Sequence, residues 1–353
     1  MDQNRQPLSS LTIQTLAIVA VIAAVGAILA LLWYALDLLL LLFCGFLLSI
    51  VNRLVSRYLQ RYLNIPQNWS IGLVLFASLV LFALFLQIAI PFVFDQSITI
   101  VQNLGDAVQT GMDQVKKLEY GEDFIRTFRD SLDKFANLAT VGNLRNLFSN
   151  AFDYTFRILL VIATGLYFSI NPELYVSGFL KLLPSGAQPR IRDLLANMRS
   201  MLEWWLLGRL LSMIMVGLVA SIGLWAIGIP YPVPLGVVAA ILELIPYLGP
   251  PLAMIPAALL GITISPFHSL YVVILFAIIQ FLEGFLITPV IQEKALALPP
   301  ALIIATQVLM GLVAGGLGVL VATPLLGVIV LSIQMLYVQD VLEEDVELIG
   351  HQS

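Results

Sequence analysis

Two carboxylates lie inside long apolar stretches of this sequence, where a charge costs free energy unless it is paired or used. Glu243 falls in the apolar run PLGVVAAILELIPYLGPPLAMIPAALLGI at 234–262, and Glu283 follows Gln280 by three residues in another apolar run. A charged side chain at the centre of a bilayer costs about 2.5 kcal/mol or more. Carboxylates at such depths usually face a bundle interior or a water-filled path, where they carry protons or ions. Glu243 and Glu283 are therefore candidate relay residues.

A cluster of prolines interrupts the run shortly after Glu243. Proline has no backbone N–H and clashes with the preceding turn, so a helix cannot continue through 246–251. Non-helical backbone is tolerated at membrane depth only where protein buries it or water reaches it. Free carbonyls at such breaks coordinate ions or polar solutes in transporters. We therefore predict a substrate or ion path formed by Glu243, Pro246, Tyr247, Gly249, Pro250, Gln280 and Glu283.

Each of these features also has a structural explanation. Glu243 could pair with Arg209 or with a helix end. Glu283 could be protonated or paired within helix packing, with Gln280 on the same helical face. The proline cluster could be a kink between two packed half-helices. The sequence leaves these alternatives open.

Composition fixes the class of protein. Of the 353 residues, 60% are hydrophobic and 11% are charged, and the mean hydropathy is +0.97. Soluble domains carry about 25% charged residues, so this chain is predicted to cross a membrane several times. A single cysteine, Cys44, excludes an intramolecular disulfide, and two distant histidines exclude a Cys/His metal site. No basic run offers a surface for nucleic acid.

Motifs for catalysis are missing from the sequence. There is no Gly-x-Ser-x-Gly elbow, no phosphate-binding Gly-x-x-x-x-Gly-Lys loop and no His-Glu-x-x-His metal motif. We therefore predict that the chain is not an enzyme and needs no cofactor or metal. Any pumping must use a gradient or a partner subunit.

The N-terminal part, residues 1–94, is predicted to hold three membrane spans. Residues 11–51 carry a single charge, Asp37. As one helix they would measure roughly 60 Å, twice the ~30 Å hydrocarbon core. We therefore predict two spans with a tight turn at Asp37, and a third span from residue 69 to 94. Three arginines between 53 and 61 predict a cytoplasmic end after the second span.

The rest of the chain divides by charge and periodicity. Residues 95–150 show helical amphipathic spacing with mixed charges and are predicted to form an extracytoplasmic helical domain. Residues 151–337 form a second membrane domain, which includes an amphipathic cytoplasmic helix at 185–205. The acidic residues 338–353 form a cytoplasmic tail.

A glycine cluster divides the apolar stretch 301–337, which is too long for one span. It predicts a re-entrant half-helix at 301–314 followed by a span at 319–337, with two complete spans as the alternative. The predicted fold is an all-α polytopic membrane protein of about eight transmembrane helices. Broken or re-entrant segments are predicted near 234–264 and 301–318.

Two stretches of the sequence resemble a known family. LWAIGIPYPVPLGVVAAILELIPYLGPPLAMIPAALLGI at 224–262 is similar to the central motif of the autoinducer-2 exporter (AI-2E) family, and so is the stretch at 280–330. The resemblance implies an eight-span transporter, in several members oligomeric, with a movable part that carries substrate. Some members of that family export autoinducer-2, and others are reported as sodium/proton antiporters.

Three functions therefore compete. The first is a secondary transporter that exports a small polar solute such as autoinducer-2. The second is a sodium (cation)/proton antiporter that uses Glu243 or Glu283 as proton carrier. The third is a membrane scaffold without transport, which would work through 95–150 and the acidic tail. We expect a multi-pass protein of the plasma (inner) membrane with both termini in the cytoplasm. The expected partners are the lipid bilayer, a small polar solute or monovalent cation, and further copies of the chain in a homo-oligomer.

Overall fold

The computed structural model describes residues 8–63, 66, 69–80, 87, 151–287, 298–344 and 348–349. Every secondary-structure element in these ranges is helical, which confirms the predicted all-α class. The described helices are α1 (Leu8–Leu63), α2 (Trp69–Val80), α3 (Ala151–Ile170), α4 (Pro172–Leu180), α5 (Gln188–Ile227), α6 (Pro232–Leu242), α7 (Gly249–Ile264), α8 (Pro266–Leu282) and α9 (Pro300–Ile333). The predicted domain at 95–150 lies outside the described residues.

Several described helices are long and apolar enough to cross a membrane. Four stretches qualify by length and composition: Trp33–Tyr62, Gln188–Ile227, Pro266–Phe285 and Pro300–Gln339. Helices α3 and α4, bent by 85° relative to each other, count as a fifth candidate if they are taken as one broken span. The chain is therefore a polytopic helical membrane protein. The total of eight spans also depends on residues outside the described ranges and stays a prediction.

Helix α1 is continuous, so the predicted tight turn at Asp37 is wrong. Residues 33–42 are leucine, alanine and aromatic residues around Asp37, with no glycine or proline to end a helix. The Asp37 carboxylate accepts a hydrogen bond from Arg157 Nη1 of α3, 3.2 Å away. Within 1–94 the predicted first pair of spans is thus one helix, with its two ends far apart. The prediction of a cytoplasmic N-terminus assumed two spans joined by that turn, so the structure does not support its basis.

Helices α1 and α3 pack side by side in the same direction. Asp37 meets Arg157 towards the start of α3, and Asn52 Nδ2 donates to Ser169 Oγ at 3.1 Å towards its end. Between these contacts the backbone of Gly45 approaches Thr164, where a Cβ on the glycine would lie only 2.7 Å from the threonine Cβ. A parallel pair requires the intervening chain to return to the starting side. The span predicted to begin at residue 69 would run in this return direction, opposite to α1 and α3.

Helix α5 joins the predicted amphipathic helix at 185–205 and the following span into one 40-residue helix. The apolar face of its first half lies inside the protein. There it forms a core cluster that includes Leu194, Met201, Leu202, Trp205, Ile50 of α1 and Leu331 of α9. This face therefore packs on α1 and α9 inside the protein. Its cytoplasmic location stays a prediction.

A second core cluster joins the other half of α5 to α6, α7 and α8. It includes Val216, Leu224, Leu235, Ala257, Val272 and Phe276. Helices α5 and α6 come closest at Gly217 and Gly236, where a Cβ on Gly236 would lie 2.7 Å from the Gly217 carbonyl oxygen. Small residues let membrane helices approach closely. This cluster holds α6 and α7, the two half-helices of the predicted break, against the rest of the bundle.

Helix α9 contains the predicted break and reverses direction there. Ala314 (φ −129°, ψ 15°) and Gly315 (φ 60°, ψ −147°) leave helical geometry. The Gly315 conformation belongs to a region that only glycine adopts readily. Across the turn, Gln307 contacts Thr323 and Gly318 contacts Met310. Contacts with these sequence spacings require the two arms, 300–314 and 315–333, to run antiparallel as a hairpin.

The length of the first arm distinguishes between the two alternatives for 301–337. The fourteen helical residues 300–313 measure about 21 Å, which is short of the ~30 Å hydrocarbon core. Length and hydropathy alone make Pro300–Gln339 a single candidate span, but the reversal at Gly315 excludes that description. The structure therefore favours a re-entrant arm followed by a longer arm over two complete spans.

Candidate functional site

The predicted break near Glu243 is present and spans six residues. Helix α6 ends at Leu242, and α7 begins at Gly249. Residues before a proline avoid helical geometry, which explains why α6 stops ahead of Pro246. Tyr247 has a positive φ of 63°, a conformation uncommon for a bulky residue. The break is thus a tight, strained connection between two half-helices.

Gly249 and Pro250 belong to the first turn of α7 rather than to the break itself. Both are buried. Gly249 lies directly against the Leu242 carbonyl, so a Cβ at this position would collide with backbone. Proline is well tolerated in a first helical turn because the missing N–H is not needed there. These residues shape the connection, whose first residue is the charged Glu243.

The carbonyls of Ile245 and Pro246, in the middle of the break, are bonded, which corrects the expectation that they are free. Ile245 O accepts from Gly249 N at 2.9 Å, and Pro246 O accepts from Leu248 N at 2.7 Å. Pro246 O also accepts from the Gln307 side chain at 2.9 Å. The cause is that the connection folds as consecutive tight turns, whose own N–H groups bond these two carbonyls. Neither of these two carbonyls is therefore free to line a path for an ion or a solute.

Three charged side chains meet beside the break. Arg209 of α5 donates from Nη1 to Glu243 Oε1 at 3.0 Å and to Glu283 Oε1 at 3.2 Å. Glu243 follows the last residue of α6, and Glu283 opens the π-helical stretch Glu283–Ile287 after α8. Such π-helical turns occur often at functional sites. We refer to Arg209, Glu243 and Glu283 as the charged cluster.

Gln280 extends the charged cluster by one hydrogen bond. Its Nε2 donates to Glu283 Oε2 at 2.9 Å, which confirms that the two residues share a helical face. Three of the seven predicted path residues thus converge: Glu243, Gln280 and Glu283. Arg209, which we considered only as a possible partner of Glu243, is the residue that joins them.

Burial makes the charged cluster costly to maintain. The side chains of Glu243, Glu283 and Arg209 are 0%, 9% and 13% exposed. Among the described residues, Glu243 Oε2 and Arg209 Nε have no hydrogen-bond partner. A buried polar atom without a partner costs about 1–3 kcal/mol. The structural alternative for Glu243, pairing with Arg209, is therefore present but leaves part of both groups unsatisfied.

Gln307 is a site residue that was not among the residues predicted from the sequence. It is fully buried in the first arm of α9, and its Nε2 lies 2.9 Å from Pro246 O and 3.4 Å from Thr323 Oγ1. It therefore connects the break to both arms of the hairpin. The available signal was an uncharged amide inside an apolar stretch, which needs a polar partner for the same reason that a carboxylate does.

Replacing Gln307 by leucine should test this connection. The Pro246 carbonyl would keep the Leu248 N–H but lose its side-chain donor, so we expect the variant to be destabilised by about 0.5–1.5 kcal/mol. Thermal unfolding of the detergent-solubilised protein measures the effect. Thr306→Val is the matched control, because the Thr306 hydroxyl bonds Leu302 O of its own helix. Equal stability of the two variants would contradict the role given to Gln307.

The structure also contains a cavity away from the charged cluster. It has a volume of about 870 Å³ and lies between α1, α2, α3 and the tip of the α9 hairpin, with Leu41, Leu75, Ile158 and Leu317 among its lining residues. None of the seven predicted path residues is among the described residues that line it. The charged cluster is therefore a packed polar site and not the wall of this cavity.

Comparison with known proteins gives the same class as the fold. The family model described as "AI-2E family transporter" matches residues 18–337. The "Putative transport protein YueF" of Bacillus subtilis is 30% identical over 308 residues, 82% of this chain and 81% of that protein. The "Putative transport protein YrrI" of the same organism is 32% identical over 189 residues. That match spans about half of each protein, 53% of this chain and 53% of YrrI. The chain is a polytopic membrane protein and belongs to the AI-2E family of transporters.

Proposed function

We propose that this chain is a secondary transporter whose charged cluster couples cargo movement to a proton or a monovalent cation. One observation carries the proposal: two buried carboxylates share a single guanidinium. With all three groups ionised, the cluster has one excess negative charge. Uncompensated buried charge costs several kcal/mol, so binding of a proton or a monovalent cation is favoured. Intramembrane carboxylates that exchange such ions are the usual relays of gradient-driven transport.

Two cargoes are compatible with this coupling. Family membership favours export of a small polar solute such as autoinducer-2. The charged cluster favours the second candidate, a sodium (cation)/proton antiporter, because the ion bound at Glu243 and Glu283 would itself be the cargo. Membership of a transporter family argues against the third hypothesis, a scaffold without transport.

Flux through purified protein in liposomes tests the proposal. A pH gradient is imposed, and the movement of sodium or of autoinducer-2 is recorded for the parent protein and for Glu243→Gln. Glutamine keeps the volume and hydrogen bonding of the side chain but cannot exchange a proton or neutralise a cation. We expect Glu243→Gln to lose nearly all flux in an antiporter. In a neutral-solute exporter the loss should be partial and show mainly as weaker binding.

Glu173→Gln is the matched control for this experiment. The Glu173 side chain is 72% exposed and pairs with Arg192 at the surface, and such pairs contribute little. We expect this variant to transport like the parent. The proposal would be wrong if Glu243→Gln also kept the parent's flux and its dependence on the pH gradient.

The remaining assignments are part of the same proposal. The arginine-rich ends of α1 and α5 favour a cytoplasmic side for residues 173–209, by the positive-inside rule. The plasma (inner) membrane location, the cytoplasmic C-terminus and the homo-oligomer stay predictions. Residues 95–150 would then lie on the side opposite to 173–209.

A further inference from the structure

A small cavity lies at the end of the bundle opposite to Asp37 and Arg157. It has a volume of about 210 Å³ and opens between α1, α3, α4 and α5. Aromatic rings form much of its wall: the Tyr175 and Phe168 rings meet edge to face with centroids 4.6 Å apart, and Phe46 packs on Phe168 at 6.3 Å. The cavity is therefore apolar inside and rimmed by amphipathic aromatic side chains, as is typical of a membrane–water interface.

Two arginines, Arg53 of α1 and Arg199 of α5, line the same cavity. Arg53 Nη1 donates to the carbonyl of Ser169 at 3.1 Å, at the C-terminal end of α3. That bond holds the Arg53 guanidinium at the mouth of the cavity. Two guanidiniums at one cavity repel each other, so they favour an anion between them.

The neighbouring carboxylates are engaged elsewhere. Glu203, which also lines the cavity, pairs with Arg57, and Glu173 pairs with Arg192 at 3.4 Å. Within the described part of the chain, neither Arg53 nor Arg199 forms an ion pair. Two arginines and one carboxylate therefore line the cavity, and with that carboxylate paired to Arg57 the two arginines form no ion pair within the described residues.

Helix α4 sets the position of this cavity relative to the bilayer. It turns by 85° from α3 at Asn171, so it runs almost perpendicular to the span that precedes it. A short apolar helix with this orientation lies along the membrane surface. With α3 crossing the bilayer, Tyr175 and Phe179 of α4 would place the cavity at the level of the lipid headgroups.

We propose that this cavity binds an anionic glycerophospholipid. The phosphate lies between Arg53 and Arg199, and the upper part of one acyl chain enters the aromatic cavity. Arginine suits this task because its planar guanidinium donates two hydrogen bonds to a phosphate. Basic pockets between membrane helices on the cytoplasmic side bind anionic headgroups in the same way. The proposal stands whether or not the charged cluster carries ions.

Lipid titration of the purified protein tests the proposal. Detergent-solubilised protein is titrated with phosphatidylglycerol or with phosphatidylcholine, and bound lipid is counted by native mass spectrometry. We expect the parent to prefer phosphatidylglycerol, and the double variant Arg53→Gln/Arg199→Gln to lose about 30-fold of that preference. Inorganic phosphate should not displace the lipid, because it lacks the acyl chain. Displacement by inorganic phosphate alone would overturn the lipid assignment.

A matched control separates a built site from general attraction to a basic surface. Arg61→Gln/Arg192→Gln removes the same charge from the same two helices, and neither residue is among the described residues that line the cavity. This control should keep the preference for phosphatidylglycerol. Equal losses in the two double variants would overturn the proposal.

Filling the cavity provides a test that leaves every arginine in place. Val176 lines the cavity, and Val176→Phe should occupy the space that the acyl chain needs. We expect this variant to bind phosphatidylglycerol about tenfold more weakly. A loss of this size corresponds to the burial of about two methylene groups of the acyl chain. Unchanged binding would show that no acyl chain enters the cavity.

Discussion

Replacing Arg209 by glutamine is expected to destabilise the folded protein by about 3–5 kcal/mol and to abolish transport. Arg209 is the one described cation that contacts both Glu243 and Glu283. Without it, two buried carboxylates face each other with no counter-charge. The measurement is thermal unfolding of the solubilised protein, together with flux in liposomes.

Partial rescue makes this prediction specific. Removing one carboxylate as well, in Arg209→Gln/Glu243→Gln, should recover much of the lost stability because less unpaired charge is buried. Transport should stay lost, because the exchangeable site is gone. Arg192→Gln serves as control: this arginine lies on the same helix in an exposed pair with Glu173, and its loss should cost less than about 1 kcal/mol. Additive losses in the double variant would show that Arg209 and Glu243 do not act on each other.

Gly318→Ala is expected to open or distort the α9 hairpin and to reduce transport severely. A Cβ on Gly318 would collide with the carbonyl of Met310 and lie 3.0 Å from the Ala314 Cβ. Backbone cannot move aside as a flexible side chain can, so we expect a loss of about 1–3 kcal/mol. Thermal unfolding and liposome flux measure the two effects.

Gly316→Ala is the matched control in the same hairpin. A Cβ at Gly316 has no atom within 4 Å and its φ is not left-handed, so the alanine should fit. We expect stability and flux close to those of the parent. If Gly318→Ala behaved like Gly316→Ala, the two arms of α9 would not pack as described.

The two predictions are linked through the geometry of the site. The hairpin arms meet at Gly318 and Met310, and Gln307 in the first arm bonds the Pro246 carbonyl. Pro246 lies three residues after Glu243. A displaced hairpin should therefore disturb the break and the charged cluster. Mutations in α9 are expected to change transport without touching a charged residue.

Backbone breaks were the most predictable part of this fold. Proline at 246 and the glycines around 315 have local steric effects that act whatever surrounds them. Both breaks therefore appear where the sequence indicated. The predicted tight turn at Asp37 was wrong because no proline or glycine breaks the helix there. It was inferred from length alone, in a stretch of leucine and alanine that has no residue to end a helix.

The site was predictable in its parts but not in its assembly. Glu243 and Glu283 stand out because charges are rare in apolar stretches, and Gln280 follows from helical spacing. Their meeting with Arg209 depends on how α5, α6 and α8 pack, which no local pattern encodes. The carbonyls of the break were expected to be free, yet turn hydrogen bonds and Gln307 engage those of Ile245 and Pro246. Tertiary partners of this kind lie far away in the sequence.

The central claim is that the charged cluster holds one exchangeable proton or monovalent cation, and infrared difference spectroscopy tests it directly. The C=O stretch of a protonated carboxylic acid is recorded while the pH of the purified protein is changed, with and without sodium. We predict one buried carboxylic-acid band that titrates with pH, weakens when a competing cation binds, and disappears in Glu243→Gln or Glu283→Gln. The band should persist in Glu173→Gln. A band that is absent at every pH with and without sodium, or that survives both cluster variants, would contradict the account.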